Sequence, residues 1–475
     1  MIGTLAASTP PERLCLQSIL PFTHSPIRPL ANVASLRHTA VVCLLLFGVV
    51  MPAYGQAPDT LRIDAVVQQA LSDNFRAQIA RNQVDVATNN RSVGNAGFLP
   101  TVTGRAGYSE TRTSSEQEFL DGNTQDVDGA TSTNENASAE LAWTLFDGLG
   151  RFATYDRLGA ELDRQRAATQ EQVEVVLADA VDTYYDAARQ QQQLAVLRTG
   201  LALSRERLRI AQTRRDLGTA SDLEVRQAQV DLNADSAAVL RQQSALVGAK
   251  AQLNAQLGRT RASTRYAVAE QIALDTTLAA ATLRQTTTER NPVLKQAEQS
   301  LSVAQAEERE LRADYFPSID ATVRYGYSEL DSESGFLRTS TSTDLQYGLS
   351  LTWDLFDGLD RVRRSQNAQV RTRNAQLFVN DVQAQLEADL ASAYENYRNR
   401  LQLVTLEQEN LQAAVANVAV ALEQFRQGTI TSVELREVQE QRVQAESRLL
   451  DARFEAKRAE TELLRLSGQL ADTYR

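Results

Sequence analysis

Between residues 318 and 327 apolar or aromatic side chains take every second place: Ile319, Ala321, Val323, Tyr325 and Tyr327. A period of two predicts a β-strand with one apolar face. The same alternation returns at Leu345, Tyr347, Leu349, Leu351, Trp353 and Leu355, and earlier at Val102, Ala106 and Tyr108, then at Ala137, Ala139, Leu141, Trp143 and Leu145. Each half of the chain therefore predicts two strands, each near the roughly 9–11 residues that a tilted membrane strand needs. The stretches between them are rich in Ser, Thr, Asp and Gly and read as surface loops.

Past each strand pair the period changes to seven. Val173, Ala180, Ala187, Leu194, Leu201 and Leu208 mark one long series, and Leu390, Tyr397, Val404, Leu411, Val418 and Phe425 mark its counterpart. A second series follows each: Val225, Leu232, Val239, Leu246 and Leu253 in the first half, and Leu435, Leu449, Ala456 and Leu463 in the second, with Val438, Ala445, Ala452, Ala459 and Leu466 between them. Heptad spacing predicts paired helices with a coiled-coil seam. No proline interrupts the first long series, so at about 1.5 Å per residue a helix on the order of 100 Å is expected.

The halves repeat one another. Trp143 and Trp353 are 353 − 143 = 210 residues apart, and the same offset relates Tyr184 to Tyr394, Gly218-Thr219 to Gly428-Thr429 and Glu224 to Glu434. Upstream the offset is 217, linking Asn74 to Asn291 and Tyr108 to Tyr325. The expected organisation is a leader over 1–55, a first repeat over 56–265 and a second over 266–475. Each repeat holds a helix, a strand pair and a helical hairpin.

WTLFDGLGR and WDLFDGLDR, from residues 143 and 353, stand where strand gives way to helix. Phe146 and Phe356 end the apolar alternation, Gly148 and Gly358 permit a tight change of direction, and Asp147 and Asp357 are placed to cap the helix that follows. Gly218 and Gly428 read as helix-ending glycines at the hairpin tips. A purely structural role accounts for all of these residue types.

The leader combines Arg37 and His38, the apolar run AVVCLLLFGVV and the small residues before Gln56, so a secretory signal cut after Gly55 is expected. Beyond Gly55 the chain has no Cys, His or Met. Thiol nucleophiles, disulfides, histidine bases and His/Cys metal sites are thereby excluded from that region, no catalytic motif stands in the required context, and an enzyme or a cofactor site is not expected. A formal charge of −11 argues against a nucleic-acid partner.

Four strands in lipid cannot stay an open sheet, because unsatisfied edge groups cost several kcal/mol each. Other copies of the chain must close it. Two would give about eight strands and a barrel filled by side chains; three give about twelve and a lumen, so a homotrimer is expected.

Two strand pairs, two long hairpins, the FDG joints and the paired Gly-Thr breaks together resemble the TolC-like outer membrane efflux proteins, over essentially the whole chain past the leader. LRIDAVVQQALSDN, GFLPTVTGRAGYS, DYFPSIDATVRYGYS and FRQGTITSVELREVQ carry the resemblance. It implies a mixed fold: long α-helical coiled-coil hairpins forming an α-barrel, joined to a transmembrane β-barrel of four strands per chain. It also implies a trimeric duct in outer membrane lipid, extending into the periplasm, where a periplasmic adaptor and an inner-membrane transporter dock to expel drugs, metals or proteins.

The resemblance further places a pore constriction at Glu434 and Glu437, and a periplasmic tip at Gly218, Thr219, Asp222, Glu224, Phe425, Gly428 and Thr429. Phe425 and Ile430 depart from the family's tip tyrosine and gating arginine. From the residues alone, Glu434 and Glu437 share a helix face, off the Leu435-Val438-Leu449 seam. Facing a lumen, their mutual repulsion would raise some of their pKa values and attract cations; a solvated helix face, with Glu favoured by the helix dipole, explains them equally. A structural or adhesive coiled-coil protein of the outer membrane is the alternative reading.

Overall fold

The computed structural model describes residues 60–259, 266–269 and 271–474. The expected leader and its cleavage after Gly55 lie outside these residues, and so does the stretch 260–265 at whose end the two repeats were expected to divide. In chain order the elements are β1 (Thr60–Leu61), α1 (Ile63–Asp73), α2 (Phe75–Asn90), β2 (Thr101–Glu118), β3 (Thr124–Asp147), α3 (Gly150–Asp216) and α4 (Asp222–Gln256). They are followed by β4 (Ala267–Val268), α5 (Ala280–Arg290), α6 (Pro292–Ala313), β5 (Ser318–Ser332), β6 (Thr339–Thr352), α7 (Asp360–Gln427), α8 (Ser432–Leu466) and α9 (Leu470–Thr473).

The long strands form one antiparallel sheet in the order β2-β3-β5-β6. Its register sorts the side chains by face. Val102, Leu141, Val323 and Tyr347 make one cross-strand row, and Gly104, Ala139, Tyr325 and Leu345 make the next row on that face. The other face carries Thr103, Glu140, Arg324 and Gln346, with Arg105 paired to Glu140 at 2.9 Å. Apolar residues of the first face are exposed, Tyr347 at 79% and Leu349 at 74%, so this face has no partner among the described residues.

The strands run to 18, 24, 15 and 14 residues, longer than the nine to eleven expected. The excess is polar. From Ile319 to Tyr327 the apolar stretch is about 30 Å along the strand, or about 23 Å across a membrane at the usual tilt, which matches a barrel's apolar band. Beyond the last β3–β5 pair, Ser132 with Ser332, the β2–β3 hairpin continues as a two-stranded arm to Glu118 and Thr124.

At each joint the turn is made by two successive residues with left-handed backbone: Gly148 (φ 68°) with Leu149 (φ 70°), and Gly358 with Leu359 (φ 66° each). Gly148 also lies against the carbonyl of Ala313, where a side chain has no room. Asp147 accepts from the Arg151 amide at 2.9 Å, as Asp357 does from Arg361 at 2.9 Å. Each arginine reaches back to a carbonyl at the strand's end, Thr144 or Asp354, and so ties strand to helix. Phe146 is half-buried, whereas Phe356, on the side of the free β6 edge, is 79% exposed.

α3 and α7 have 67 and 68 residues, each about 100 Å long. Their seams are the heptad positions: Ala180, Ala187, Leu194, Leu201 and Leu208 are buried on α3, and Leu435, Leu449, Ala456 and Leu463 on α8. Where the hairpins return, Asn74 and Asn291 do matching double duty. Each caps a helix through its side-chain oxygen, accepting from Arg76 and Ala77 or from Val293 and Leu294. Each also donates its amide, at 2.8 Å, to the last carbonyls of the returning helix, Gln256 or Leu466.

Asn74→Ala and Asn291→Ala each remove a cap and orphan a buried carbonyl. A loss of about 1–2 kcal/mol per site is expected, read as a lower thermal midpoint of the solubilised protein. Gly468→Ala should act at the same place, since its φ is 66° and an added Cβ would stand 2.8 Å from the Arg290 carbonyl.

Between sheet and tips a belt wraps the helices. β1 pairs in parallel with β4, and Lys457 and Glu460 form a buried ion pair at 2.7 Å. The carboxyl of Glu174, 1% exposed on α3, lies under α9, and one of its oxygens has no hydrogen-bond partner among the described residues. No helix among the described residues is long and apolar enough to cross a membrane.

Candidate functional site

The two hairpins end in the same turn. Gly218 (φ 76°) and Gly428 (φ 78°) take the left-handed conformation, and the amides of Thr219 and Thr429 return to the carbonyls of Arg214 and Gln424 at 2.8 and 3.0 Å. Thr219 and Thr429 add their hydroxyls to the same carbonyls. A left-handed glycine followed by this return bond is how a helix ends without orphaned carbonyls.

The helices that follow begin differently. At α8, Thr431 and Glu434 form a reciprocal capping box: Thr431 accepts from the Glu434 amide, and the Glu434 carboxylate accepts from the Thr431 amide at 2.7 Å. These hydrogen bonds, from the Thr431 backbone and then its hydroxyl, hold the Glu434 carboxyl below its usual range. That is opposite in direction to the shift expected from repulsion around a pore: within one chain, local capping sets the charge of this residue. Glu437, one turn on, is exposed, and no hydrogen bond engages its carboxylate among the described residues.

At α4, Ser221 caps Glu224 in the same way, but the Glu224 side chain turns away to Arg214 at 3.5 Å. Arg214 stacks its guanidinium 5.3 Å from the centre of the Phe425 ring. Phe425 is fully buried in a cluster with Ile210, Ala421 and Leu435, so the tips of the two hairpins are joined by an aromatic ring, a cation lying on it and a carboxylate behind. Asp222 is exposed and lies outside this contact.

Further from the tip, Arg436 on α8 grips Asp235 on α4 through both terminal nitrogens, at 2.7 and 2.9 Å. Burial raises the Asp235 carboxyl, but the bonds from Arg436 and Ser204 outweigh it and hold the group below its usual range. Fully buried Arg207 pairs with Asp231 at 2.5 Å. Arg214, Asp235 and Arg436 were not among the residues expected from sequence. A usable signal was the failure of the repeat, since 210 residues on from Arg214 and Asp235 stand Gln424 and Ala445.

The geometry is thus a sheet apolar on one face, two joints, two long hairpins and acidic tips tied to each other. The family model for outer membrane efflux proteins matches residues 66–281 and 283–469. The chain belongs to the outer membrane efflux protein family. The curated Protein CyaE of Bordetella pertussis is 28% identical to this efflux-family chain over 268 residues, 56% of either chain, so the match spans about half the length of that relative. The outer-membrane channel OprN has a TM-score of 0.67 at 21% identity, over 86% of this chain and 90% of that one. The Campylobacter jejuni CmeC outer membrane channel has a TM-score of 0.67 at 14% identity, over 86% and 85%. Both likenesses show the fold of this efflux-family protein.

Proposed function

We propose that the protein is the outer-membrane exit duct of a tripartite efflux or type I secretion system. The observation that carries this reading is the sheet: one face apolar and exposed, the other polar, with strands leading directly into hairpins about 100 Å long. Among the described residues the outer edges of β2 and β6 pair with nothing, and in lipid those edges must be satisfied. Three copies supply twelve strands and a lumen, and carry the helices as a second barrel across the periplasm. The halves 56–265 and 266–475 then contribute equivalent sixths of the wall, two strands and one hairpin each.

In this reading Glu434 and Glu437 form the constriction, and the tip residues Gly218, Thr219, Asp222, Glu224, Phe425, Gly428 and Thr429 meet a periplasmic adaptor linked to an inner-membrane transporter. The test is native mass spectrometry of the solubilised protein, followed by planar-bilayer recording. A trimer with a small, cation-preferring conductance is expected. A monomer without conductance would return the chain to a structural role.

A further inference from the structure

We infer that a cavity between the two hairpins is a binding site for a small neutral ligand with a primary carboxamide or a cis-lactam edge. The cavity lies among α3, α4 and α8, one to three turns into α8, and holds about 160 Å³. Leu197, Leu201 and Val443 give it apolar walls, and the Asp235–Arg436 pair stands on its polar side. Gln439 lines it too. That residue is 3% exposed, and both polar atoms of its amide are buried without a hydrogen-bond partner among the described residues.

A buried amide with neither its donor nor its acceptor engaged is costly, and each such group calls for a partner. Ser204, Asp235, Arg436 and Glu440 are already committed to one another, and Gln444, which also lines the cavity, makes no hydrogen bond to Gln439. Ser204 donates to Asp235 at 2.5 Å, both terminal nitrogens of Arg436 are on Asp235, and the Arg436 Nε lies 2.6 Å from Glu440. The missing partner therefore comes from outside the cluster.

Its chemistry follows from what Gln439 offers, one N–H side and one C=O side in a plane. A group with its own C=O and N–H in cis answers both at once. A carboxylate would answer only the donor and would face Asp235 and Glu440; a guanidinium would answer only the acceptor. The apolar walls require an apolar body on that amide. The volume sets its size, since an engineered cavity of about 150 Å³ accommodates benzene. Benzamide and δ-valerolactam fit all three requirements. An occupant would touch α3 and α4 of one hairpin and α8 of the other.

The test uses the full solubilised chain, with calorimetry and saturation-transfer NMR. Benzamide and δ-valerolactam are the probes, and N-methyl-δ-valerolactam, which keeps the ring but lacks the N–H, is the control. Binding of both probes is expected, at least about tenfold weaker for the N-methyl control and for both probes on Gln439→Leu. Ala238→Leu, which fills the cavity and leaves Gln439 in place, should abolish binding while the far-ultraviolet circular dichroism stays that of the parent.

Equal affinity of the N-methyl control, or undiminished binding to either variant, would overturn the site. No binding up to the probes' solubility would overturn it as well and leave water as the partner of Gln439. None of these readings involves conductance, so they stand apart from the test of the duct.

Discussion

Replacing Glu434 and Glu437 together with glutamine is expected to raise single-channel conductance several-fold and to abolish the preference for cations. In a trimer the two positions place six carboxylates at the tips, and a ring of like charges at a narrow passage attracts cations and repels anions. The substitution matters as much as the site. Glutamine completes a capping box as glutamate does, so the Thr431 bonds at the start of α8 survive and only charge is removed. Alanine would also break the box, at about 1 kcal/mol, and mix a loosened tip with a neutral one.

The single variants should differ. Glu434 already shares its carboxylate with its own helix start, so Glu437→Gln should account for the larger part of the lost selectivity. Unchanged conductance and selectivity in the double glutamine variant would remove these residues from the constriction.

Glu174→Gln is expected to stabilise the protein at pH 7.5 by about 2 kcal/mol and to leave it nearly unchanged at pH 4.5. The Glu174 carboxyl is raised from 4.5 to about 6, chiefly by burial; Gln170 and the Ala471 amide oppose the shift, Asp472 adds to it, and Arg465 opposes it again. A carboxyl with a raised pKa holds its proton more tightly in the folded chain than in the unfolded one. The folded state is therefore favoured on the acid side. Its stability falls as pH rises from about 4.5 to about 6, and above that window the full cost of a buried, ionised group is present. A carboxyl raised from 4.5 to about 6 costs about 2 kcal/mol once it is fully ionised.

Glutamine carries no charge to bury and can keep the bond from Gln170, so the slope across this window should flatten. Asp182 contributes a slope in the same range, raised to about 6 by burial against the pull of Arg458. Thermal midpoints of parent and variant from pH 4.5 to 7.5 are the measurement. Parallel curves would show that Glu174 does not titrate there.

How much was legible follows from which interactions repeat along the chain. The heptads of α3, α4, α7 and α8 were readable because a helix seam recurs every seventh residue, and the strands because a face recurs every second. The FDG and Gly-Thr turns were readable because only a few residue types make such turns. Asn74 and Asn291 were visible as a matched pair, but not as clasps. Their amides bond carbonyls 182 and 175 residues away, and nothing local marks that distance.

Arg214, Asp235, Arg436 and Gln439 were not foreseen for the same reason. Each looks like an ordinary polar residue on a helix, and each acquires its role from a different helix. The capping box of Glu434 is written locally, as Thr431-x-x-Glu434, within one turn of helix.

The sequence by itself determined the two-fold internal repeat, the change from strand to helix at Asp147 and Asp357, the length of the helices and the places where they turn back. These depend on neighbours three, four or seven residues away, and such spacing is written in the chain. Only the tertiary structure decided which charges on those helices are exposed, which are paired across the hairpins and which are buried without a partner. Ion pairs such as Arg436 with Asp235, the unpaired carboxyl oxygen of Glu174 and the unpaired amide of Gln439 arise from the rotation of one helix against another, and no local period in the chain encodes that rotation.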